Sequence, residues 1–345
     1  MSTGFDIRET SATAEADLIL ALWRQGLTHQ GVPQAKLDWF YLGSPTGAPR
    51  VFLLQAQGAT GPCGTATLAM RTMSAEGADC VCGVLIDFVL HADQRTLFPA
   101  LALQRAVRDA ALASHDVVFG FPNPKSLAVV KRAGYRHVVD LERRVRVVRS
   151  FSYLSRILPA LIARPVAALA DLGRLVLLRL AHRRRAAWQL AWSEAPDDRF
   201  NALWTRCRNN AALIGVRDRA FLEWRFCRSP MGRYRFVTLA LDGALVAYAV
   251  CKDEGDGLAI VDLLADPRQA GALAALMAEV VFEADRLGRA SVMAIYGGDP
   301  RWSRVLAQVG FVRRDAQPVY ATGTHAEGAW TRADTWYLTA ADEDV

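Results

Sequence analysis

The chain has 345 residues, of which 52% are hydrophobic and 22% are charged. This composition provides ample material for a core and excludes an extended disordered protein, and the length predicts two domains. The net charge of +6 is concentrated in one place: the range from Arg143 to Arg185 holds eleven arginines and one acid, a local balance of +10 that leaves −4 for the rest of the chain.

The cysteines give no sign of a zinc or redox site. The six are scattered, and their only close pair, Cys80 and Cys82, is C-x-C rather than C-x-x-C. We therefore expect reduced, structural thiols and no metal. The N-terminal sequence has no basic stretch followed by an apolar one, so it predicts no secretory signal. Together these features predict a cytoplasmic protein.

The first half of the chain predicts alternating helices and strands. Leu18, Ile19, Leu22 and Trp23 stand at helical spacing. A strand, VFLLQAQ (51–57), follows, and then the nearly all-apolar central strand VLIDFVL (84–90). Next come a helix (101–113), the short strand VVFGF (117–121), another helix and a terminal strand. Mixed strands with helices on both sides predict an α/β unit of three layers.

The second half repeats this order. Residues 37–59 align without a gap on residues 222–244 at a constant offset of 185, which pairs Trp39 with Trp224 and Gly58 with Gly243. The central strand 84–90 likewise matches AIVDLLA (259–265). We interpret this repeat as two homologous domains, 1–149 and 188–345, joined by a linker, 150–187.

Each half also has a turn, a helix and a closing Gly-aromatic pair after its central strand. In the first copy these are G-F-P-N-P-K-S (120–126) and K-R-A-G-Y (131–135); in the second they are G-G-D-P (297–300), Trp302-Ser303 and Gly310-Phe311. This order resembles the GNAT acetyltransferase superfamily. Residues 222–226 and 336–339 resemble uncharacterised GNAT-like proteins of bacterial envelope polysaccharide loci. The resemblance implies two tandem GNAT-like domains, each with a mixed, mostly antiparallel sheet, acting as an acyl-CoA-dependent acyltransferase.

The resemblance also indicates where acetyl-CoA would bind. The family's phosphate loop reads Gln/Arg-x-x-Gly-x-Gly/Ala and leads into a helix N-terminus, which favours anions. The equivalent first-copy segment has Arg95 and Thr96 but no glycine, whereas the second copy has Arg268, Gly271 and Ala272. The retained glycine favours the second copy for phosphate binding, and either copy could be the active one.

Other family positions are more ambiguous. Asn123 either caps the following helix or contacts the pantetheine arm of the cofactor. The tyrosine that many family members use to protonate the leaving thiolate is absent, because Val130 and Leu306 occupy the matching positions. Proximity alone can still drive acyl transfer.

Three residues are candidates for acid–base chemistry. Asp87 and Asp262 interrupt the two central strands at equivalent positions. A lone buried carboxylate is costly, so each is either a catalytic base facing a cleft or a hydrogen-bonded structural group. His91 follows the first central strand and is either a group that titrates near neutrality at the site or a surface histidine.

Trp224 and Arg225 are the candidates for substrate contact. The tryptophan either packs in a core or domain contact or lines a substrate site. Arg225 has no counterpart in the first copy, where Phe40 stands. It either clamps an anionic substrate or forms a surface salt bridge.

The basic segment 153–185 mixes apolar residues with arginine. Its longest uncharged run is far too short to cross a bilayer. It either lies as an amphipathic helix on an anionic membrane surface or packs as a helical connector between the domains. Aromatic residues are not interleaved with its arginines, so we expect no nucleic-acid partner.

The sequence therefore predicts acetyl transfer to an amino sugar or another envelope precursor, with the acceptor in a groove between the copies. One alternative is a Fem-type transferase, which moves an aminoacyl group from transfer RNA onto a cell-wall peptide. The other is a catalytically degenerate double domain that acts as a scaffold at the membrane.

Overall fold

The computed structural model describes residues 4–26, 33–181 and 188–343. The strands of the first half are β1 Phe5–Ser11, β2 Arg50–Ala56, β3 Gly64–Ala75, β4 Ala78–Leu90, β5 Val117–Gly120 and β6 Arg136–Val147. Its helices are α1 Ala16–Gly26, α2 Pro33–Lys36, a π-helix at Leu37–Leu42, a 3-10 turn at Ala92–Gln94, α3 Leu97–Leu112 and α4 Leu127–Arg132. Two helices follow, α5 Phe151–Leu154 and α6 Ala160–Ala181.

The second half repeats the order and adds two short strands, Leu213–Gly215 (β8) and Trp336–Thr339 (β14). Its strands are β7 Trp188–Ser193, β8 Leu213–Gly215, β9 Tyr234–Leu241, β10 Ala244–Glu254, β11 Gly257–Ala265, β12 Ser291–Gly298, β13 Val312–Gly323 and β14 Trp336–Thr339. Its helices are α7 Arg199–Cys207, α8 Arg219–Leu222, a π-helix at Glu223–Cys227, α9 Ala272–Arg286, α10 Pro300–Gln308, and 3-10 turns at Ala329–Thr331, Ala333–Thr335 and Ala340–Asp342.

The predicted elements form because their apolar patterns match what they bury. In α1 the residues at helical spacing, Ile19, Leu22 and Trp23, are buried. Both predicted central strands are confirmed, as β4 and β11. The helix expected at 101–113 begins earlier, at Leu97, since Pro99 fits the first turn, where a missing N–H costs little.

The two halves share one sheet because they exchange their last strands. The strand order is β1-β2-β3-β4-β5-β13-β6-β12-β11-β10-β9-β7, and most pairs are antiparallel. Strand β13 pairs with β5 of the first half, with Tyr320 opposite Gly120. Strand β6 pairs with β12 of the second half, with Glu142 opposite Tyr296. Each half therefore contributes its last strand to the part of the sheet formed by the other half. The division into domains 1–149 and 188–345 stays a prediction.

A reciprocal tryptophan pair marks the approximate twofold relation between the halves. The indole Nε1 of Trp39 donates to the carbonyl of Trp224 at 2.8 Å, and the Nε1 of Trp224 donates to the carbonyl of Trp39 at 3.1 Å. The rings stack with centroids 5.5 Å apart. Both residues lie in the two π-helices, so the 185-residue repeat of the sequence is also a repeat of the structure.

In each half the central strand separates from its parallel neighbour. Strand β4 pairs with β5 only as far as Leu85, and β11 pairs with β12 only as far as Ile260. We call the gap beyond Leu85 the first wedge and the gap beyond Ile260 the second wedge. The second wedge is filled by β14, whose Tyr337 pairs with Gly298 of β12 and donates its hydroxyl to the carbonyl of Leu263 on β11 at 2.5 Å.

The closure of the second wedge depends on a glycine. Gly298 has φ +126°, and a Cβ there would overlap the carbonyl oxygen of Trp336. We expect Gly298→Ala to lower the free energy of unfolding by about 3 kcal/mol, because it adds both strain and a steric clash. Urea unfolding measures this change. The matched control is Gly255→Ala, where φ is +59° and the space is open, so about 1 kcal/mol is expected. Equal effects of the two substitutions would contradict the clash.

The predicted linker range contains α5 and α6, and residues 182–187 lie outside the described residues. In the described part of α6 the buried apolar residues are Ala163, Ala167 and Leu178. None of the helices in the described ranges is long and apolar enough to cross a membrane.

Candidate active site

The first wedge is an open cavity of about 130 Å³ between β4, β5, α3 and the start of α4. The residues lining it are Leu85, Ile86, Asp87, Phe88, Gln104, Gly120, Phe121, Pro122, Asn123, Ser126 and Val130. Beyond Leu85 the edge of β4 that faces β5 has no strand paired to it in the described part of the chain. Such an edge offers backbone donors and acceptors to an extended ligand.

Asp87 lies at a β-bulge of β4 and is among the residues that line this cavity. Thr65 of β3 pairs with Val89 and Thr67 pairs with Ile86, so two residues of β4 stand opposite one of β3. Asp87 itself has φ +46°, a conformation that non-glycine residues rarely adopt. Backbone strain of this kind is often found at functional sites.

The side chain of Asp87 is only 2% exposed, and its carboxylate is held by two donors. Lys36 Nζ lies 2.7 Å from Oδ1, and the hydroxyl of Tyr41 lies 2.6 Å from Oδ2. A carboxylate has about four lone-pair sites, so each oxygen retains capacity to accept another proton or hydrogen bond. Among the described residues that line the cavity, Asp87 is the one carboxylate.

A second polar group in the first wedge is unsatisfied. Gln104 of α3 is 2% exposed, lines the cavity, and its Oε1 has no hydrogen-bond partner among the described residues. A buried acceptor without a donor is costly unless a ligand or water supplies one. Gln104 therefore fits a ligand that carries an N–H or O–H group.

Asn123 caps the turn before α4, as one of the two sequence interpretations predicts. Its Oδ1 accepts from the backbone N–H groups of Lys125 and Ser126, both at 3.0 Å. The residue also lines the cavity, so contact with a cofactor arm stays a prediction. Val130 lines the same cavity and has no proton to donate.

His91, Arg95 and Thr96 lie between β4 and α3, outside the lining of the cavity. His91 is partly buried, and its Nε2 is buried without a hydrogen-bond partner in the described part of the chain. Arg95 is exposed and donates its Nε to the carbonyl of Leu90 at 3.0 Å. Thr96 is the N-cap residue of α3, and its side chain makes no capping hydrogen bond.

Asp262 has a different environment from Asp87, although the two occupy equivalent strand positions. It is 0% exposed and contacts β14 through Thr339. Its Oδ1 accepts from Arg217 Nε at 3.0 Å and from Thr339 Oγ1 at 2.7 Å, and Tyr248 donates to Oδ2 at 2.7 Å. This geometry favours the structural interpretation of Asp262 over catalysis.

Arg217 connects Asp262 to a second buried carboxylate, Asp342. Burial favours the neutral form of the Arg217 guanidinium, but the two carboxylates raise its pKa. Burial alone would raise the pKa of Asp342, but Arg217 and Arg71 hold it below its usual range. Burial also raises the pKa of Tyr248 and that of Tyr337. The buried network therefore contains charged groups, and its two arginines neutralise its two carboxylates.

The predicted phosphate-binding residues of the second copy lie at the start of α9. Gly271 is the N-cap residue and has φ +83°, and Ala272 is 1% exposed. Arg268 is paired with Asp266 through Nε and Nη2, at 2.9 and 2.8 Å. A cavity of about 310 Å³ between the starts of α9 and α10 includes Gly271 but not Arg268 in its lining. Because β14 fills the second wedge, this cavity does not lead between the strands.

Trp224 and Arg225 line a space of only about 20 Å³ between the halves. Arg225 is 4% exposed and donates to the carbonyls of Ala340, Ala341 and Glu343. The alternative of a surface salt bridge is therefore wrong, because the guanidinium is buried and holds the C-terminal turn. Packing of Trp224 in the contact between halves is confirmed. A substrate role for this pair stays a prediction.

The cysteines form no disulfide in the described ranges, where all six are free thiols. Burial raises the pKa of Cys207 to about 12, which disfavours the reactive thiolate. In the same ranges no group of three or more His, Cys, Asp or Glu side chains is arranged to hold a metal ion.

Sequence reasoning missed Lys36, Tyr41 and Gln104. A signal for Gln104 was available, since it stands in the buried stripe of α3, next to Leu103 and one turn before Val107. A polar residue at such a position indicates a hydrogen-bonding role. Lys36 and Tyr41 carried no such signal, because they lie 51 and 46 residues from Asp87 in the sequence.

Several solved structures are similar to this arrangement. A GCN5-related N-acetyltransferase from Anabaena variabilis has a TM-score of 0.66 and 11% identity, over 95% of this chain and 75% of that one. A tandem GNAT protein from the clavulanic acid biosynthesis pathway has a TM-score of 0.57 and 13% identity, over 94% of this chain and 100% of that one. The Saccharomyces cerevisiae N-myristoyltransferase with bound myristoyl-CoA has a TM-score of 0.54 and 12% identity, over 94% and 80%.

The chain has the tandem GNAT fold. This confirms the GNAT fold that the sequence resemblance implied, whereas the arrangement as two domains joined by a basic linker stays a prediction. No protein-family model matches the sequence, and no curated protein matches it. In this tandem GNAT fold the first wedge is open and the second is closed by the chain's own strand β14.

Proposed function

We propose that the chain is an acyl-CoA-dependent N-acyltransferase whose first copy binds the thioester. The observation that carries this proposal is the open first wedge with its unsatisfied Gln104 Oε1. The neighbours of the same fold include acetyltransferases and a structure with bound myristoyl-CoA, which supports the acyl-CoA class. The choice of the first copy replaces the sequence-based preference for the second, whose wedge contains β14.

The arm of coenzyme A matches the first wedge chemically. The arm is a narrow, extended chain with two secondary amides, and a cavity of about 130 Å³ suits a chain better than a ring. The open edge of β4 can bond such amides as it would bond a peptide strand. Gln104 Oε1 can accept one of the amide N–H groups, which would satisfy it.

The phosphate end of coenzyme A would then lie at the start of α3. The first backbone N–H groups of a helix have no partner within the helix and favour anions. Arg95 and Thr96 are exposed beside this N-terminus. We assign phosphate contact to Arg95 and Thr96, although this segment lacks the glycines of the family loop.

In this proposal Asp87 acts as the general base. Bound acyl-CoA supplies a thioester, and its acyl group passes to an acceptor nitrogen as the C–S bond breaks. Asp87 takes the proton that the acceptor amine loses and can return it to the leaving thiolate. Lys36 and Tyr41 hold the carboxylate in position, since each bonds one of its oxygens. The proposed acceptor is an amino sugar or another envelope precursor, reached in the cytoplasm.

Filling the first wedge with a larger side chain tests this proposal. We expect Ser126→Phe, which places a ring in the first wedge, to weaken acetyl-CoA binding about a hundredfold, which equals about 2.7 kcal/mol. Isothermal calorimetry with acetyl-CoA, and with myristoyl-CoA as a longer donor, measures the affinity.

The matched control is Val305→Phe, which fills the cavity at the start of α10 in the second copy. This variant should bind acetyl-CoA as the unchanged chain does. The reverse pattern would assign binding to the second copy. Absence of binding to either thioester by the unchanged chain would favour the scaffold alternative.

A further inference from the structure

The exposed apolar surface of this protein is concentrated on one segment. Of the sixteen large hydrophobic residues that are exposed in the described ranges, eleven lie between Phe151 and Leu180. Ile157 is 81% exposed and Leu161 is 90% exposed. Single exposed apolar residues are ordinary, but a contiguous group of this size indicates an interaction surface.

The group forms one side of α6. The residues that α6 buries are Ala163, Ala167 and Leu178, on the side that packs against the protein. The opposite side carries what we call the apolar stripe, made of Leu161, Leu169, Leu172, Val176 and Leu180. At 3.6 residues per turn, these five side chains fall within an arc of about 100°. The helix is therefore apolar on the side that faces away from its own protein.

The charges around the apolar stripe are positive. Arg156, Arg164 and Arg179 are exposed, and three further arginines, at 183–185, follow in the sequence. The one acid of α6, Asp171, is 16% exposed at its side chain and is bonded to Ser150 and Arg174. An apolar face bordered by arginine is complementary to a surface that is apolar inside and anionic outside.

We propose that α6 docks flat on the surface of an anionic lipid bilayer, with the apolar stripe inserted among the lipids. A helix of 22 residues is about 33 Å long and can lie in the interface, where arginine heads reach the phosphates and leucines reach the acyl chains. A second copy of this chain is a poorer occupant, because it would bring arginine against arginine. This docking is independent of the proposed acyl transfer.

Vesicle co-sedimentation tests the docking. The full chain is mixed with vesicles of phosphatidylglycerol and phosphatidylcholine, or of phosphatidylcholine alone, at low and high salt. We expect binding to the anionic vesicles that falls with salt. Leu169→Gln with Leu172→Gln should weaken it at least about tenfold. Arg156→Gln with Arg164→Gln should weaken it about thirtyfold.

The matched control changes exposed apolar residues elsewhere, Val81→Gln with Val312→Gln, which are 44% and 56% exposed. This control should bind vesicles as the unchanged chain does, and circular dichroism should show that all variants fold alike. No binding at low salt would overturn the proposal. A concentration-dependent dimer that the Leu169→Gln, Leu172→Gln variant loses, without vesicle binding, would also overturn it and identify a second copy as the occupant.

Discussion

We expect Arg217→Met to lower the free energy of unfolding by about 3–5 kcal/mol, the range for breaking a buried ion pair. Arg217 is 0% exposed, and its removal leaves Asp262 buried without its arginine and Asp342 with Arg71 as its remaining arginine. The network also holds β14 in the second wedge, because Thr339 bonds both Arg217 and Asp262. Denaturant unfolding, followed by tryptophan fluorescence, measures the loss.

Two further variants separate charge from packing. Arg332→Met removes the arginine of an exposed pair with Asp334 and should change stability by less than about 0.5 kcal/mol. Adding Asp262→Asn to Arg217→Met removes the uncompensated charge and should restore part of the stability, while Asp342 keeps its pair with Arg71. An Arg217→Met variant as stable as Arg332→Met would refute the role of the network.

In the first wedge, Asp87→Asn should lower the rate of acyl transfer about a hundredfold, the lower range for a lost general base. The asparagine keeps the shape of the side chain but cannot take a proton. Release of the coenzyme A thiol from acetyl-CoA, with glucosamine as acceptor and with water alone, measures the rate. Calorimetry should give an acetyl-CoA affinity within about threefold of the unchanged chain, since the proposed arm contacts remain.

A structural effect of Asp87→Asn must be separated from a catalytic one, because the substitution leaves Lys36 buried without its partner. Lys36→Met with Asp87→Asn removes both charges and should recover stability while the rate stays low. Asp38→Asn, in an exposed hydrogen bond with Gln34, should leave the rate unchanged. If the double variant regained the rate together with its stability, Asp87 would be a structural residue.

Much of the fold could be predicted because its signals are local. The apolar runs at 84–90 and 259–265 predicted the central strands, since strands buried on both faces are continuously hydrophobic. The ungapped repeat predicted two copies, and Trp39 and Trp224 proved to be its structural centre. The residues of the candidate site were predictable only in part: Asp87 and Asn123 line the cavity, whereas Lys36, Tyr41 and Gln104 were missed.

The sequence by itself determined the order of the elements, the repeat and the concentration of arginine in one segment. The tertiary structure decided which wedge is open, because β14 comes from later in the chain to contact β11, with Tyr337 lying 74 residues after Leu263, and to pair with β12. It also made two equivalent aspartates different. Each is bonded to a cation from another element, Lys36 for Asp87 and Arg217 for Asp262, but Asp87 also lines an open cavity. Local sequence patterns determine the secondary structure of a segment, and long-range contacts determine the partners of its polar side chains.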